Sequence, residues 1–360
     1  MGTWVLLSSQ SLSIKMNAIN HTKESGNAIP QNIVMSGIRP TGFLHLGSYF
    51  GAIKNYIRMQ DEFTCFFMVA DLHSLTTHPD TSELKANVHR VLAENIACGL
   101  DPGKATIYCQ SHVHETAELY LFLNMLAYKG ELEKTVTFKE KARLSPDNVN
   151  AGLLTYPVLQ TADILLHRAS YVPVGKDQEQ HLEMARNFVN RFNHRYGHVF
   201  PEPKAFNYEE DLVKVPGLDG TGKMSKSENQ MATIYLADED DTIRKKIRKA
   251  KSDVAPVEEK APMPVSIQNL FMLMNLVSDK NTIQSFKNDY HNRTIRYGEL
   301  KEKLSDDMVK FITPIREKTI SILHDEKYLR QVMEQGAVAA SESAKATMII
   351  VREAMGLHYF

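Results

Sequence analysis

Three stretches of the 360-residue chain hold side chains whose types and spacing can do chemistry. The first runs Ser36-Gly37-Ile38-Arg39-Pro40-Thr41-Gly42-Phe43-Leu44-His45-Leu46-Gly47-Ser48, between an apolar run and a helical stretch. An open α/β sheet binds ligands at such a junction. Free N–H groups where the helix starts near Leu46 would face the crevice, Gly42 and Gly47 clear space for a nucleotide, and His45 offers an N–H to phosphate oxygens. A lone His-Leu-Gly is more often a turn with a surface histidine, so this stretch alone settles nothing. The second stretch, Gly217-Leu218-Asp219-Gly220-Thr221-Gly222-Lys223-Met224-Ser225-Lys226-Ser227, is a glycine-rich loop with two lysines three residues apart. Two ammonium groups near the β and γ phosphates would stabilise the charge that builds as the α-phosphate is attacked, and the glycines would let them arrive with the substrate. A solvated loop is the plain alternative. The third stretch, residues 153–166, puts Asp163 in a run of Ala, Ile and Leu. A carboxylate so placed needs a donor, which an indole N–H or a phenol hydroxyl can supply. Otherwise the helix turns it to solvent or to a neighbour.

In this order and about 180 residues apart, the first two stretches resemble the HIGH and KMSKS signatures of class I aminoacyl-tRNA synthetases. The resemblance covers nearly the whole chain from about Val34. It implies a Rossmann-like catalytic domain followed by a helical anticodon-binding domain. It also implies that Arg39, Pro40, Thr41, Gly47 and Ser48 cradle ATP, that His45 assists the phosphates and that Val215 backs the adenine. Lys223, Ser225 and Lys226 would stabilise the transition state of amino-acid adenylation, with Met224 as a hydrophobic hinge and Ser227 at the end of the ATP-binding set. Ser48 departs from the family, which usually has His or Asn there, and its shorter side chain leaves direct contact with ATP open.

Residues 153–166 and the string Val172-Pro173-Val174-Gly175-Lys176-Asp177-Gln178-Glu179-Gln180-His181 resemble the tryptophan-specific members most closely. On that likeness Asp163 accepts the indole N–H, Tyr156 and Gln178 hold the α-amino group, and His73 lines the pocket near the ring. Gly175, Lys176 and Asp177 belong to the same amino-acid site. The tyrosine-specific members share both signatures, and Gln160 leans towards them, whereas the ten-residue string leans towards tryptophan. A nucleotidyltransferase has a similar histidine motif but needs neither residues 223–227 nor a helical domain. A binding protein that had lost catalysis would have no need of His45, Lys223 and Lys226. The resemblance further implies ATP with Mg²⁺, L-tryptophan, tRNA for tryptophan, and a homodimer meeting partly through Tyr128-Lys129-Gly130-Glu131-Leu132-Glu133-Lys134. No metal-ligand cluster is visible.

The elements that must position these groups follow from periodicity. Apolar runs at 33–38, 64–70 and 105–109 alternate with helical stretches at 46–61, 81–100 and 115–128, which predicts parallel strands with crossover helices. Residues 139–150 read as a charged loop, and 151–167 as a strongly apolar helix that Pro157 kinks or starts. A further strand at 171–174 leads into a helix from about 177 to 197. The fold class is therefore α/β, a Rossmann-like parallel sheet with a smaller helical domain. The divisions are a flexible extension at 1–29, a catalytic domain at 30–228, a helical domain at 229–335, and a last helix at 339–355 that packs back on the catalytic domain within 336–360. Arg244, Lys245, Lys246, Arg248, Lys249 and Lys251 read as a solvated helix face, with contact to RNA phosphates as the alternative.

Composition bounds the rest. Lys and Arg number 42 against 43 Asp and Glu, a net charge of -1, so any RNA must be held by local patches. Cys65, Cys98 and Cys109 form no Cys-x-x-Cys pair and read as reduced core residues. Met16 offers an alternative start. With no apolar run near the roughly 18 residues a membrane span needs, the expectation is a cytoplasmic protein.

Overall fold

The computed structural model describes residues 32–76, 80–144, 146–175, 179–208, 214–220, 222–225, 229–253 and 262–359. The expected extension at 1–29, and Lys176, Asp177, Gln178, Lys226 and Ser227, lie outside the described residues. Short apolar runs become β1 (Ile33–Ile38), β2 (Thr64–Val69), β3 (Thr106–Cys109) and β4 (Tyr171–Val172), joined by β5 (Lys204–Ala205). They make one sheet in the order β3-β2-β1-β4-β5, with every pair parallel. Successive side chains leave a strand on opposite faces, so Cys65, Phe67, Val69 and Ile107 enter one apolar cluster while Phe66, Met68 and Tyr108 enter another. Covered on both faces, such strands read as continuous apolar runs. Strand β4 stops at Val172 rather than Val174, and the two exposed residues of β5 left no apolar signal.

Helices fill the crossovers. Between β1 and β2 lie α1 (Leu46–Ser48), a π-helical turn (Tyr49–Ile53) and α2 (Lys54–Glu62), a continuous run close to the expected 46–61. From β2 to β3 come α3 (Asp71–Leu75) and α4 (Leu84–Cys98). From β3 to β4 come α5 (Glu115–Asn124), α6 (Lys129–Leu132), α7 (Val136–Leu144) and α8 (Ala151–Leu166). Helix α7 corrects the first part of the loop expected at 139–150: Lys139, Glu140 and Arg143 are exposed on a helix instead. Helix α8 starts where Asn150 accepts the Leu153 N–H at 2.9 Å, so Pro157 lies inside it and does not mark its start. Helix α9 (Glu179–Tyr196) leads to β5, and α10 (Asp240–Arg248), α11 (Val265–Val277), α12 (Lys280–His291), α13 (Tyr297–His324) and α14 (Glu326–Ala354) follow.

Helix α14 is longer than the helix expected at 339–355, because residues 326–354 form one uninterrupted run capped by Asp325. Its first turns put Leu329 and Val332 into the cluster shared with α4 and α13, while Ala340, Ala344, Met348 and Val351 enter the cluster of α5, α8 and α9. The helix thus passes from one layer to the other across the β3 edge, covering backbone groups that an edge strand leaves unpaired. Gly336 makes the crossing possible: a Cβ there would lie 1.8 Å from the Ile107 carbonyl oxygen. Farther along, His167 at the end of α8 stacks on Phe66 at 4.1 Å between ring centroids, meets the Tyr108 hydroxyl at 3.0 Å and meets the Ser343 hydroxyl of α14 at 3.1 Å.

Two outcomes follow. Gly336→Ala should destabilise the protein by about 3 kcal/mol, the upper part of the usual overpacking range, since backbone rather than a flexible side chain must give way. Urea unfolding equal to wild type would show that α14 does not seat this closely. Burial pushes the His167 imidazole down to about 3, so the folded state resists a proton that the unfolded chain binds near the ordinary 6.5. Stability from the neutral ring is complete above that ordinary value and drains away as pH falls, about 2 kcal/mol by pH 5. His167→Gln should flatten the stability profile by that amount between pH 7 and 5, whereas parallel profiles would remove His167 as the titrating group.

Candidate active site

The order of the strands puts a crevice at the carboxyl ends of β1 and β4, where the chain winds away to either side. The turn leaving β1 carries Arg39, Pro40 and Thr41, of which Arg39 and Thr41 are exposed and Pro40 is buried. His45 then caps the helical run. Its Nδ1 accepts the Ser48 N–H at 3.2 Å, and the Ser48 hydroxyl reaches back to the His45 N–H at 3.5 Å. Since Nδ1 is an acceptor, the neutral ring carries its proton on Nε2. The Ser48 side chain is therefore occupied with the cap of its own helix. Gly47 is required beneath this ring, because a Cβ would lie 2.8 Å from His45 Cε1.

The segment that follows the second signature stretch is laced to the first by backbone. Leu46 N–H donates to Ile234 at 3.0 Å and Leu236 N–H to Leu44 at 2.9 Å, on either side of the His45–Tyr235 bridge. The loop enters as a hairpin, with Pro216 opposite Lys223 and the Met224 N–H donating to the Val215 carbonyl at 2.8 Å. Gly220 and Gly222 turn it at φ values of 79° and 58°, where a Cβ is disfavoured. Val215 and Met224 are buried, Ser225 is half-buried and Lys223 is exposed. Thr233 Oγ1 donates to the Ser225 carbonyl at 2.6 Å, which fixes the far side.

Asp163 gathers the other polar groups. It is 2% exposed, and both oxygens are held: Gln110 Nε2 donates to Oδ1 at 2.8 Å, and His73 Nε2 lies 2.7 Å from Oδ2. Burial raises its carboxyl above the usual range, against the pull of His73 and Gln110. His73 thus bonds the carboxylate directly rather than only lining a wall near it. Tyr156 stands edge-on to His73 at 5.0 Å, with Lys141 Nζ 5.4 Å above its ring. Burial raises the Tyr156 hydroxyl, Arg39 lowers it and Asp163 adds to the rise, while burial and then Arg39 lower Lys141. The charge of Arg39 is thus felt at Tyr156 and Lys141. Gly175 is half-buried on the loop after β4, which Asn207 Nδ2 anchors by donating to the Val174 carbonyl at 2.6 Å. His73 Nδ1, Gln110 Oε1 and Gln160 Oε1 are buried without a hydrogen-bond partner among the described residues. Two of these atoms belong to the side chains that hold Asp163, so the groups around this carboxylate keep hydrogen-bonding capacity that the protein itself does not use.

Sequence reasoning missed Gln110, Lys141 and Lys246. A glutamine directly after an apolar parallel strand was the available signal for Gln110. Lys141 was hidden in the supposed loop. Lys246 was placed on a solvated face, but it is buried: Nζ donates to Asp238 Oδ2 at 2.6 Å and to the Thr233 carbonyl at 2.8 Å. Asp238 in turn accepts the Tyr235 N–H at 2.9 Å, so this lysine supports the segment laced to His45. Arg244 pairs with Asp306, while Lys245, Arg248 and Lys249 are exposed. Cys65 and Cys109 are buried, and burial pushes each thiol up to about 12. Cys98 is only half-buried.

Comparison with known proteins agrees with this fold. A family model described as tRNA synthetases class I (W and Y) matches residues 30–313. The tryptophan–tRNA ligase of Porphyromonas gingivalis is 55% identical over 324 residues, which are 90% of this chain and 98% of that one. The tryptophan–tRNA ligase of Chlamydia caviae is 38% identical over 333 residues, 90% of this chain and 95% of that one. Among solved structures, the tryptophanyl-tRNA synthetase of Campylobacter jejuni complexed with ADP and tryptophan matches with a TM-score of 0.80 and 33% identity, covering 90% of this chain and 99% of that one.

Lys246→Met should cost about 3 kcal/mol of stability, because it leaves the Asp238 carboxylate enclosed without its cation. Lys245→Met, on the exposed side of the same helix, should stay within about 0.5 kcal/mol of wild type. Equal urea midpoints for the two variants would return Lys246 to the solvent face.

Proposed function

The chain belongs to the class I tRNA synthetase family of the tryptophan and tyrosine enzymes, and on that premise we propose how its residues divide the work of the tryptophan–tRNA ligase reaction. Tryptophan is activated with ATP to tryptophanyl-adenylate, and the tryptophanyl group then passes to tRNA. Tyrosine is not favoured as the substrate, since the tryptophan–tRNA ligases are similar at up to 55% identity over nearly their whole length. The observation that carries the residue assignment is the buried Asp163 carboxylate, held by His73 and Gln110, each of which keeps one buried polar atom without a partner among the described residues.

In the first step a tryptophan carboxylate oxygen attacks the α-phosphorus of ATP, forming the mixed anhydride and releasing pyrophosphate. Asp163 accepts the indole N–H with a lone pair that its two protein donors leave over. Tyr156 and Gln178 hold the α-amino group, with Gly175, Lys176 and Asp177 closing the amino-acid site. Arg39, Pro40, Thr41 and Gly47 form the cradle for ATP, and Val215 backs the adenine. His45 donates through Nε2 to the phosphates, because its Nδ1 is engaged with the Ser48 N–H. It acts as a hydrogen-bond donor rather than as a base. Ser48 works through His45 instead of touching ATP. Lys223 and Lys226 meet the charge on the departing pyrophosphate, with Ser225 and Ser227 alongside and Met224 anchoring the hinge in the core. In the second step the terminal hydroxyl of tRNA attacks the carbonyl carbon and AMP leaves.

Among the described residues no three His, Cys, Asp or Glu side chains gather to hold a metal. Mg²⁺ belongs to this reading as a companion of the ATP phosphates, part of that substrate. The helical region that begins near residue 229 serves the anticodon end of tRNA for tryptophan. Two copies pair through residues 128–134, a reading supported by exposed Leu121, Met125, Tyr128 and Val136 on and beside that segment. No helix of the described residues is long and apolar enough to cross a membrane, and the cytoplasm is where the tRNA substrate would be met.

Exchange of pyrophosphate into ATP should depend on tryptophan, with tyrosine giving little. Exchange driven by tyrosine more than by tryptophan would overturn the substrate while sparing the family. Lys223→Ala should raise the adenylation barrier by about 2–4 kcal/mol with far less change in the KM for tryptophan. Single-turnover adenylate formation at the wild-type rate would remove Lys223 from the mechanism.

A further inference from the structure

Gln110 stands at the carboxyl end of β3, in the first turn after the strand, and is completely buried. Burying an amide is costly unless both ends are hydrogen-bonded, yet only one is: Nε2 donates to Asp163 Oδ1 and Oε1 has no partner among the described residues. The turn that carries it is held in place by a second acid. Asp71 Oδ1 accepts the Ser111 N–H at 3.0 Å and the Leu72 N–H at 3.0 Å, and Cys109 Sγ lies 3.2 Å from Asp71 Oδ2. Asp71 therefore ties the end of β3, with Gln110, to α3, with His73. The two donors of Asp163 come from one braced unit, so the carboxylate is gripped from both sides by groups fixed relative to each other.

We propose that Gln110 is a specificity-determining positioning residue of the amino-acid site, orienting the Asp163 carboxylate through its amide N–H and offering its unpartnered carbonyl oxygen as a second acceptor for the ligand. The inference rests on the reading of Asp163 as the acceptor of the indole N–H. With the carboxylate ionised, His73 must donate through Nε2, and the Gln110 amide is fixed in one orientation by its own bond to Oδ1. The remaining lone pairs then have defined directions. Without Gln110 the carboxylate can rotate about its side-chain bond, and an N–H in the substrate loses its advantage over a group of the same shape that cannot donate.

Gln110→Met keeps the volume and removes both hydrogen-bonding ends. In pyrophosphate exchange it should raise the KM for tryptophan about tenfold or more, the loss expected for a hydrogen bond to a charged group, while kcat and the KM for ATP change by less than about threefold. The preference for tryptophan over an analogue with sulfur in place of the ring N–H should collapse towards unity. A wild-type enzyme without that preference sinks the Asp163 reading, and this inference with it. A preference present in wild type and retained in Gln110→Met sinks this inference alone.

Should the methionine variant fail to fold, Gln110→Glu keeps the shape. Its ionised carboxyl repels Asp163, whereas its protonated form donates in place of the amide, so its KM for tryptophan should fall as pH is lowered from about 8 to about 6, more than in wild type. The other titratable or charged groups facing Asp163 are Asp71 and His73 from the end of β2, Tyr108 from β3, and Tyr156 with Arg39 beside it. All are common to variant and wild type, so the difference in trend reports the new carboxyl. No difference in trend overturns the donor role.

Discussion

A parallel sheet buried on both faces leaves its polar side chains little room except at the strand ends, and this constraint organises the whole molecule. Helices return each strand to the same starting edge, so the carboxyl ends of β1, β2, β3 and β4 collect on one side. Arg39 follows β1, Asp71 and His73 follow β2, Gln110 follows β3, and Gly175 follows β4. None of these residues is near another in the sequence except Asp71 and His73. Arg39, Asp71 and Gln110 are each the first polar side chain after an apolar run, and His73 follows Asp71 within one helical turn.

Within that gathering the Asp163 carboxylate is the most demanding group. It sits on a helix packed into the core, and burial alone raises its carboxyl above the usual range. Two donors from separate strand ends offset this cost, and Asp71 fixes both of them. A site built this way resists rearrangement, since moving one donor disturbs the backbone turn that supports the other. Such rigidity suits the proposed recognition of one flat ring among amino acids of similar size. The side proposed for the phosphates is built differently. Lys223 is exposed on a hairpin with two left-handed glycines, while Val215 and Met224 are buried at its base.

The helical region is joined to the site by specific contacts. Lys246 on α10 holds Asp238 and the Thr233 carbonyl, next to the backbone bonds that lace residues 234–236 to 44–46. Arg316 on α13 bonds Asp240 at the start of α10. Helix α14 crosses the β3 edge at Gly336 and runs past the end of α8, where Ser343 meets His167 one turn beyond Asp163, to reach α5, where Arg352 bonds Glu118. Named hydrogen bonds thus connect α10 and α13 to residues 233–240, beside the first signature stretch, and α14 to the end of α8.

Much of the site was legible in the sequence because its signals are local. The runs 33–38, 64–70 and 105–109 become strands since a strand buried on both faces must be apolar throughout, and periodicity alone reveals that. His45, Gly47 and the glycine-rich loop announced themselves by spacing, and Asp163 by its apolar neighbours. Other features have no local signal. Residues 139–150 look like a charged loop until 139–144 are seen in helix α7, and the short β5 is defined only by its pairing with β4. Lys246 reads as solvated among other cations, yet the helix turns this one inward to Asp238. The donors of Asp163 lie 53 and 90 residues away, so only the folded chain could reveal that Gln110 and His73 hold it. Sequence determines which groups are unusual for their surroundings, because composition and periodicity are local properties. Tertiary structure alone decides which partner answers each of them, because a hydrogen bond depends on position in space and not on distance along the chain.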